Sequence, residues 1–539
     1  MIVVADRMKS LAAGSLLAIA APAAAMQSAP VDTVIRGGTI HSGGTGAPIT
    51  GDVEIRGDRI VYVGPTRRTW ATRVIDAKGK IVAPGFIDAH THPDSYIRSD
   101  DPADRLNLPW LAQGVSTIVI GVDGGGTPDV AKDARALEAS GIGTNVAPFV
   151  GFGAVRQRVL GQADRAPDPA ELTREKALVA KAMCEGAYGL STGLFYAPQS
   201  FATTEEVIAV AREAGMRGGM YDTHQRDESN YTIGLIGSTR EVLRIGREAG
   251  MPVHFAHLKA LGVDLHGQAP LLIAEIEKAR AAGQDVTADQ YPWNASGSSV
   301  DAALVPRWAV AGGYAAMVAR FDDPATLTRI RTEMTENLRR RGGSESILLT
   351  AAGHPWTGKT LGTVATEWKL SPVDAAIRIL RTPNATGDGP AGTGIASFNM
   401  AERDIEAIMR QPWVVTGSDG SDGHPRQYAS FPRLYQEYVR RRGVIDVAAF
   451  IRRSTGATAD IYRIAGRGYL KRGFFADVVV FDPVGFAPRA DYVDPRQPAV
   501  GVDALFVNGR LALDRGAATG EAAGRALLRK PPVRGCPAA

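Results

Sequence analysis

Three things are scarce in this chain of 539 residues, and each scarcity removes a class of function. Cysteine is nearly absent, with Cys184 and Cys536 the only two. Neither lies near the N-terminus, so a lipid anchor there is not indicated. The sequence permits a bond between them without supporting one. Long apolar runs are missing: no segment of about eighteen apolar residues occurs, so no bilayer span is expected. Net charge is small, +4, and the basic residues are scattered. Arg339-Arg340-Arg341 and Arg440-Arg441-Arg442 are the only tight basic runs. Without interleaved aromatics they read as solvated helix ends, and nucleic acid is not an expected partner.

What is present points outward and then inward. Lys9, the apolar run from Leu11 to Ala21 and Ala23-Ala24-Ala25 have the grammar of a secretory signal over residues 1–25. Met8 is a cleaner start for it. An exported, soluble protein is expected, periplasmic or secreted. The remainder is ordinary for a globular protein, 45% hydrophobic and 22% charged, and long enough for a large barrel with an accessory domain.

The chain changes grammar twice. Residues 30–82 read as short strands broken by Gly37-Gly38, Gly43-Gly44 and Gly57-Asp58, and a matching set returns over 466–515. One small β-sandwich built from both chain ends is expected. Between them, residues 83–465 alternate strand and helix, which argues for a parallel sheet. Asp168 with Glu171, Thr203 with Glu206 and Ser238 with Glu241 read as helix starts. Arg-Glu-Ala-Gly-Met occurs at 212–216 and 247–251, with Gly215 and Gly250 placed as helix stops. Eight strands ending near His92, Asp123, Gly151, Thr192, His224, His257, Tyr291 and Asp419 predict a (β/α)8 TIM barrel in the α/β class. The long gap before strand eight predicts a helical insertion over 300–405, a lid.

The chemistry lies at the strand ends. Pro84-Gly85-Phe86-Ile87-Asp88-Ala89-His90-Thr91-His92 is a short strand closing on two histidines with a spacing of two, which share a face. Strand two adds Asp123, strand five His224, strand six His257 and strand eight Asp419. So many ligand-type residues at one end of a barrel predict a divalent-metal site. His254 lies an odd number of residues from His257 and is expected to face the helices as a structural residue. Ser191 sits in Gly189-Leu190-Ser191-Thr192-Gly193, which is no nucleophile elbow, so a Ser-His-Asp hydrolase is the weaker enzymatic reading. A binding protein of the same fold has no need of Asp419.

Six further motifs carry a resemblance: Gly189–Leu194, Thr223-His224-Gln225-Arg226-Asp227-Glu228, Ala256-His257-Leu258-Lys259, Asp289-Gln290-Tyr291-Pro292, Gly417-Ser418-Asp419-Gly420 and His424-Pro425-Arg426. With the His-x-His strand they make the chain resemble the amidohydrolase superfamily and, within it, the N-acyl-D-amino-acid deacylase (D-aminoacylase) family. The resemblance implies a small-molecule N-acyl amino acid as substrate, with a dipeptidase or cyclic-amide hydrolase of the same superfamily as alternatives. It implies a zinc ion held by His224 and His257, and a second metal position at His90 and His92. Asp419 is implied as the catalytic acid/base, and Lys259, Tyr291 and Arg426 as substrate contacts. The family's strand-two cysteine is absent; Asp123 stands in Gly121-Val122-Asp123-Gly124 and is the expected replacement ligand. A carboxylate is harder than a thiolate, which moves metal preference from Zn2+ toward Mn2+ or Co2+. Strand four carries no lysine, so the carboxylated-lysine bridge of hydantoinases is not expected.

Overall fold

The computed structural model describes residue 1, residues 30–530 and residues 535–536. The expected signal segment lies outside the described residues, apart from Met1. No described helix is long and apolar enough to cross a membrane.

Both ends of the chain meet in one nine-stranded sheet. Val31–Ile40, Ile49–Arg56, Arg59–Gly64, Ala71–Asp76 and Ile81–Pro84 come from the N-terminal part. Val478–Phe481, Val502–Val507, Arg510–Asp514 and Ala517–Ala518 come from the C-terminal part. The seam is the antiparallel pairing of Ile81–Pro84 with Val478–Phe481, whose β-branched residues suit a fully buried ladder. The sheet curls until Arg59–Gly64 reaches the segment that leads into Val478–Phe481, where the Ile60 amide donates to the Phe474 carbonyl and the Ala476 amide to that of Asp58. Ile35, Val53, Ile55, Val82, Val480 and Phe506 fill the space inside the curl.

The central region is a closed parallel barrel. Its strands are Phe86–Asp88, Val115–Ile120, Asn145–Pro148 with Val150–Gly151, Gly189–Gly193, Met220–His224, Val253–Phe255, Val286–Gln290 and Val414–Thr416. Each pairs in parallel with its neighbour. The ring shuts between strands eight and one, where the Ala89 amide donates to Thr416 and the Asp419 amide donates to His90. Apolar side chains of the N-terminal end, among them Ile87, Val119, Phe149, Met220 and Val415, pack with Ala459, Tyr462 and Ile464. The helix Gly456–Tyr462 thus plugs the barrel floor, and the Tyr462 hydroxyl donates to the Ala89 carbonyl.

Local rules explain most helix ends and fail informatively at two. Asp168 forms a full capping box with Glu171, and Thr203 caps the Glu206 amide. Ser238, expected to start a helix, lies inside Gly234–Ala249. The Asp227 carboxylate accepts from the Thr232 and Gly234 amides and ties the chain down earlier, leaving the Ser238 hydroxyl to accept from the Asp227 amide. Gly250 ends its helix in the left-handed region. Gly215 does not, because its helix runs one residue further, to a cap at Met216. A Cβ on Gly215 would strike the Ala249 carbonyl, so that glycine serves close helix packing.

The insertion is not purely helical and begins before residue 300. Ala295–Ser299, Gly394–Phe398 and Ile347–Leu349 form a three-stranded antiparallel sheet. Helices including Tyr314–Asp322, Pro324–Arg340 and Pro372–Leu380 cover it around a core of Leu304, Phe321, Ile330, Ile347, Val364 and Ile379. The unit sits over the C-terminal mouth, where Ser296–Ser299 and Arg341 line the central pocket. Cys184 and Cys536, far apart in sequence, form a disulfide.

Candidate active site at the barrel mouth

Strand one delivers its histidines from a clamped end. The Asp88 carboxylate accepts from the His90 amide, the Ser418 amide and the Trp110 indole, which locks strand one to strand eight. His90 is buried, and neither of its ring nitrogens has a hydrogen-bond partner. His90 Nε2 lies 3.4 Å from Asp123 Oδ1 and 3.8 Å from Asp419 Oδ1. His92 Nε2 lies 3.5 Å from Asp123 Oδ2 and 3.3 Å from Asp419 Oδ1.

Asp123 sits at the centre of this cluster. The other two histidines approach it from strands five and six, with His257 Nε2 3.6 Å from Oδ1 and His224 Nδ1 3.9 Å from Oδ2. His224 Nδ1 and His257 Nε2 are 2.9 Å apart. Asp123, His257 and Asp419 have φ of 52°, 33° and 49°, a conformation costly for residues with a Cβ. Gln199 holds the first of these in place by donating to the Asp123 carbonyl at 2.9 Å. Bent strand ends of this kind aim three side chains at one point.

The electrostatics suit a cation. Burial works against charge on His92, yet Asp123 and Asp419 push it up to about 10. Burial would also raise the Asp123 carboxyl, but the adjoining His90 and His257 hold it well below the usual range. Burial pushes His224 down to about 3, which keeps the neutral imidazole that a metal ligand must be. Orphaned nitrogens on His90, an orphaned Oδ1 on Asp123 and converging imidazoles are the donor set of a divalent site.

Behind the histidines stands a residue that motif reading quoted and left without a role. Glu228 is buried, with Oε1 3.3 Å from His257 Nδ1 and Oε2 3.6 Å from His224 Nε2. A carboxylate facing the outer nitrogen of His224 favours a proton there and leaves the inner Nδ1 its lone pair. At His257 the outer Nδ1 faces both Glu228 and the Lys259 ammonium. Lys259 Nζ bonds Glu228 Oε1 and His257 Nδ1, both at 2.7 Å. In the sequence Glu228 closes the Thr223–Glu228 motif, four residues after His224.

The remaining candidates line a pocket of about 450 Å³ beside the cluster, together with His92, Asp123, His224, Glu228 and Asp419. Arg426 Nη1 lies 2.6 Å from Asp419 Oδ2, and Nη2 donates to Ser421 Oγ at 3.1 Å. Despite burial, Arg426 and His257 hold the Asp419 carboxyl well below its ordinary value. Tyr291 is buried at the wall, with Lys259 Nζ 5.6 Å and Arg426 Cζ 5.2 Å from its ring centre. His254 corrects the sequence reading. It is structural, but it faces the lumen: it registers with Asp222, two residues below His224, and bonds Thr287 at 2.8 Å and Asp289 at 3.2 Å. The left-handed turn at His257 breaks the alternation on which the odd-spacing argument relied.

A parallel barrel with paired histidines on strand one, one each on strands five and six, and an aspartate on strand eight defines a metal-dependent amidohydrolase. The amidohydrolase family model matches residues 73–116. The chain is 32% identical to the D-aminoacylase of Alcaligenes xylosoxydans xylosoxydans, covering 93% of this chain and 98% of that protein. It is also 32% identical to the N-acyl-D-aspartate deacylase of the same organism, over 90% and 93%. Its fold matches the crystal structure of the N-acyl-D-glutamate deacylase of Bordetella bronchiseptica, complexed with zinc and a phosphonate mimic of the tetrahedral intermediate. That match has a TM-score of 0.78 at 29% identity and covers 93% of this chain and all of that one. This chain belongs to the D-aminoacylase family of amidohydrolases.

Proposed function

We propose that the protein hydrolyses the amide bond of N-acyl-D-amino acids, giving a carboxylate and a free D-amino acid. The observation that carries this is the gathering of His90, Asp123, His257 and Asp419, with ligand atoms within 4.8 Å of one another, and of His92 and His224 against Asp123, beside a pocket walled by Lys259, Tyr291 and Arg426. Asp123, His224 and His257 would hold one divalent ion, zinc or, given the carboxylate ligand, manganese or cobalt, with His90 and His92 serving a second position. A divalent ion held there would lower the pKa of water toward about 7 and polarise the amide carbonyl.

The side chains supply the rest. Asp419, kept ionised by Arg426, accepts the proton of the attacking water through Oδ1, the oxygen that faces His92. It then delivers that proton to the leaving nitrogen. Tyr291 donates to the oxygen that gains charge as the carbonyl is attacked. Lys259 and the free edge of Arg426 receive the α-carboxylate. Glu228 keeps the outer nitrogens of His224 and His257 engaged.

Export to an oxidising compartment is part of this reading. The Cys184–Cys536 bond supports it, since such bonds persist outside the cytosol. The test is a panel of N-acetyl-D- and N-acetyl-L-amino acids assayed with purified, metal-quantified protein. Turnover confined to the D series is expected; turnover of the L series alone, or of cyclic amides alone, contradicts the assignment.

A further inference from the structure

The insertion brings to the pocket a cation that has no anion to meet. Helix Pro324–Arg340 ends in the basic triplet that the sequence presents as solvated, and two of its members find carboxylates. Arg339 pairs with Asp264 and Glu336, and Arg340 with Glu336. Arg341, the residue that caps the helix, turns inward: it is 2% exposed and lines the central pocket. Its Nε and Nη1 have no hydrogen-bond partner, and among the described residues it makes no ion pair. Its closest ring contact is Tyr231, whose centre lies 5.8 Å from Cζ. A buried guanidinium left unpaired is costly, and a protein tolerates it where something else completes it.

The other two cations of the pocket each have a carboxylate partner and are the ones assigned above to the α-carboxylate. Lys259 lies on Glu228 and Arg426 on Asp419, each within 2.7 Å. The position of Arg341 says what it awaits. The loop after strand six runs from His257 through Lys259 and Leu261 to Gly262, where a Cβ would meet the Arg340 carbonyl at 2.9 Å. Arg341 therefore stands further out along the wall that carries Lys259. With the scissile amide at the His/Asp cluster and the α-carboxylate at Lys259, the substrate's side chain extends toward Arg341. Arg307, stacked 4.1 Å over Phe195 on the same side, adds positive potential there.

We infer that Arg341 is the subsite for a second carboxylate, and that the preferred substrates are N-acyl-D-amino acids with acidic side chains. The inference rests on the hydrolase reading above and adds the chemical class of the released amino acid. A planar guanidinium binds a carboxylate through two parallel bonds, which a neutral amide of the same shape cannot reproduce.

The experiment compares N-acetyl-D-glutamate with N-acetyl-D-glutamine, matched in shape, on the metal-loaded enzyme and on Arg341→Gln and Arg341→Lys. Calorimetric binding of D-glutamate and D-glutamine to the same proteins runs beside it. The wild type is expected to favour the acid by roughly tenfold or more in kcat/KM, as sites built around a buried polar partner do. In Arg341→Gln that ratio collapses toward unity, chiefly through KM, while Arg341→Lys keeps part of it. No acid preference in the wild type overturns the inference, and so does an unchanged ratio or an equal loss on both substrates in Arg341→Gln. Should neither compound turn over, the hydrolase reading fails and binding decides the subsite alone. D-glutamate binding that depends on Arg341 keeps it; binding indifferent to Arg341, or none, ends it. If Arg341→Gln does not fold, the wild-type ratio and Arg341→Lys decide.

Discussion

The mouth and the floor of the barrel are built from the same strands and do opposite things. Strand five shows it within five residues: Met220 packs in the floor, Asp222 lies in the layer above, and His224 reaches the mouth. The floor is apolar and closed, with Tyr462 seated against Phe149 at 5.9 Å and against His254 at 5.2 Å. The mouth gathers carboxylates and imidazoles, some of whose buried atoms have no protein partner. Among the described residues, three of the eight non-glycine positions with positive φ are Asp123, His257 and Asp419. Three strained residues and several unmet polar atoms meet at the mouth, opposite the apolar packing of the floor.

That contrast can be broken by substitution. The largest effect is expected at the mouth: Asp419→Asn should lower kcat by about 10²–10⁴-fold, the usual share of a general acid/base, with metal content and melting temperature held. Near-normal turnover would move proton transfer to another group. Asp123→Ala should reduce bound metal by roughly tenfold or more, since loss of even an outer-shell partner costs about that. An unchanged metal content would make Asp123 a loop-holding residue instead.

The floor should respond in the reverse sense. Tyr462→Ala empties a packed site and removes the bond to the Ala89 carbonyl, so destabilisation of about 3–5 kcal/mol is expected. The fraction that stays folded should keep its metal and its KM. If KM rises as the protein weakens, floor and mouth are not separable.

The smallest effect is expected from a buried charge that belongs to neither region. Glu175, on helix Pro169–Cys184, is buried with both carboxylate oxygens unpartnered, beside the Arg156–Glu206 pair. Burial, with Glu206 nearby, pushes its carboxyl up to about 7 from the ordinary 4.5. The folded state therefore prefers the protonated acid. Its contribution is full below pH 4.5 and is lost as the pH rises through 7. Glu175→Gln should match the wild type in melting temperature at low pH and exceed it above pH 7. Equal melting curves at pH 8 would show the Glu175 carboxylate to be hydrated.

Much of this was legible because strand periodicity is rigid. His90 and His92 share a face through their spacing of two, and the ends of strands two, five, six and eight each carried one ligand-type residue. Part of what escaped lay off the barrel strands. Glu228 follows strand five in a loop, where spacing gives no direction. Arg341 ends a helix in a run of like residues, and only tertiary packing turns the third one inward. Ala295–Ser299 is rich in serine and glycine, which carry little strand preference, so the sheet of the insertion left no pattern to read. His254 was misdirected by a single left-handed residue, which no period can foresee.

The central claim is that a divalent metal held by the mouth residues drives amide hydrolysis. It is tested most directly by stripping the protein with a chelator and titrating Zn2+, Mn2+ or Co2+ back while following N-acyl-D-amino acid hydrolysis and bound metal together. The account predicts that activity falls to background in the stripped protein and returns in proportion to metal bound, with no return in the His224→Ala/His257→Ala double variant. Full turnover by the metal-free protein would contradict it.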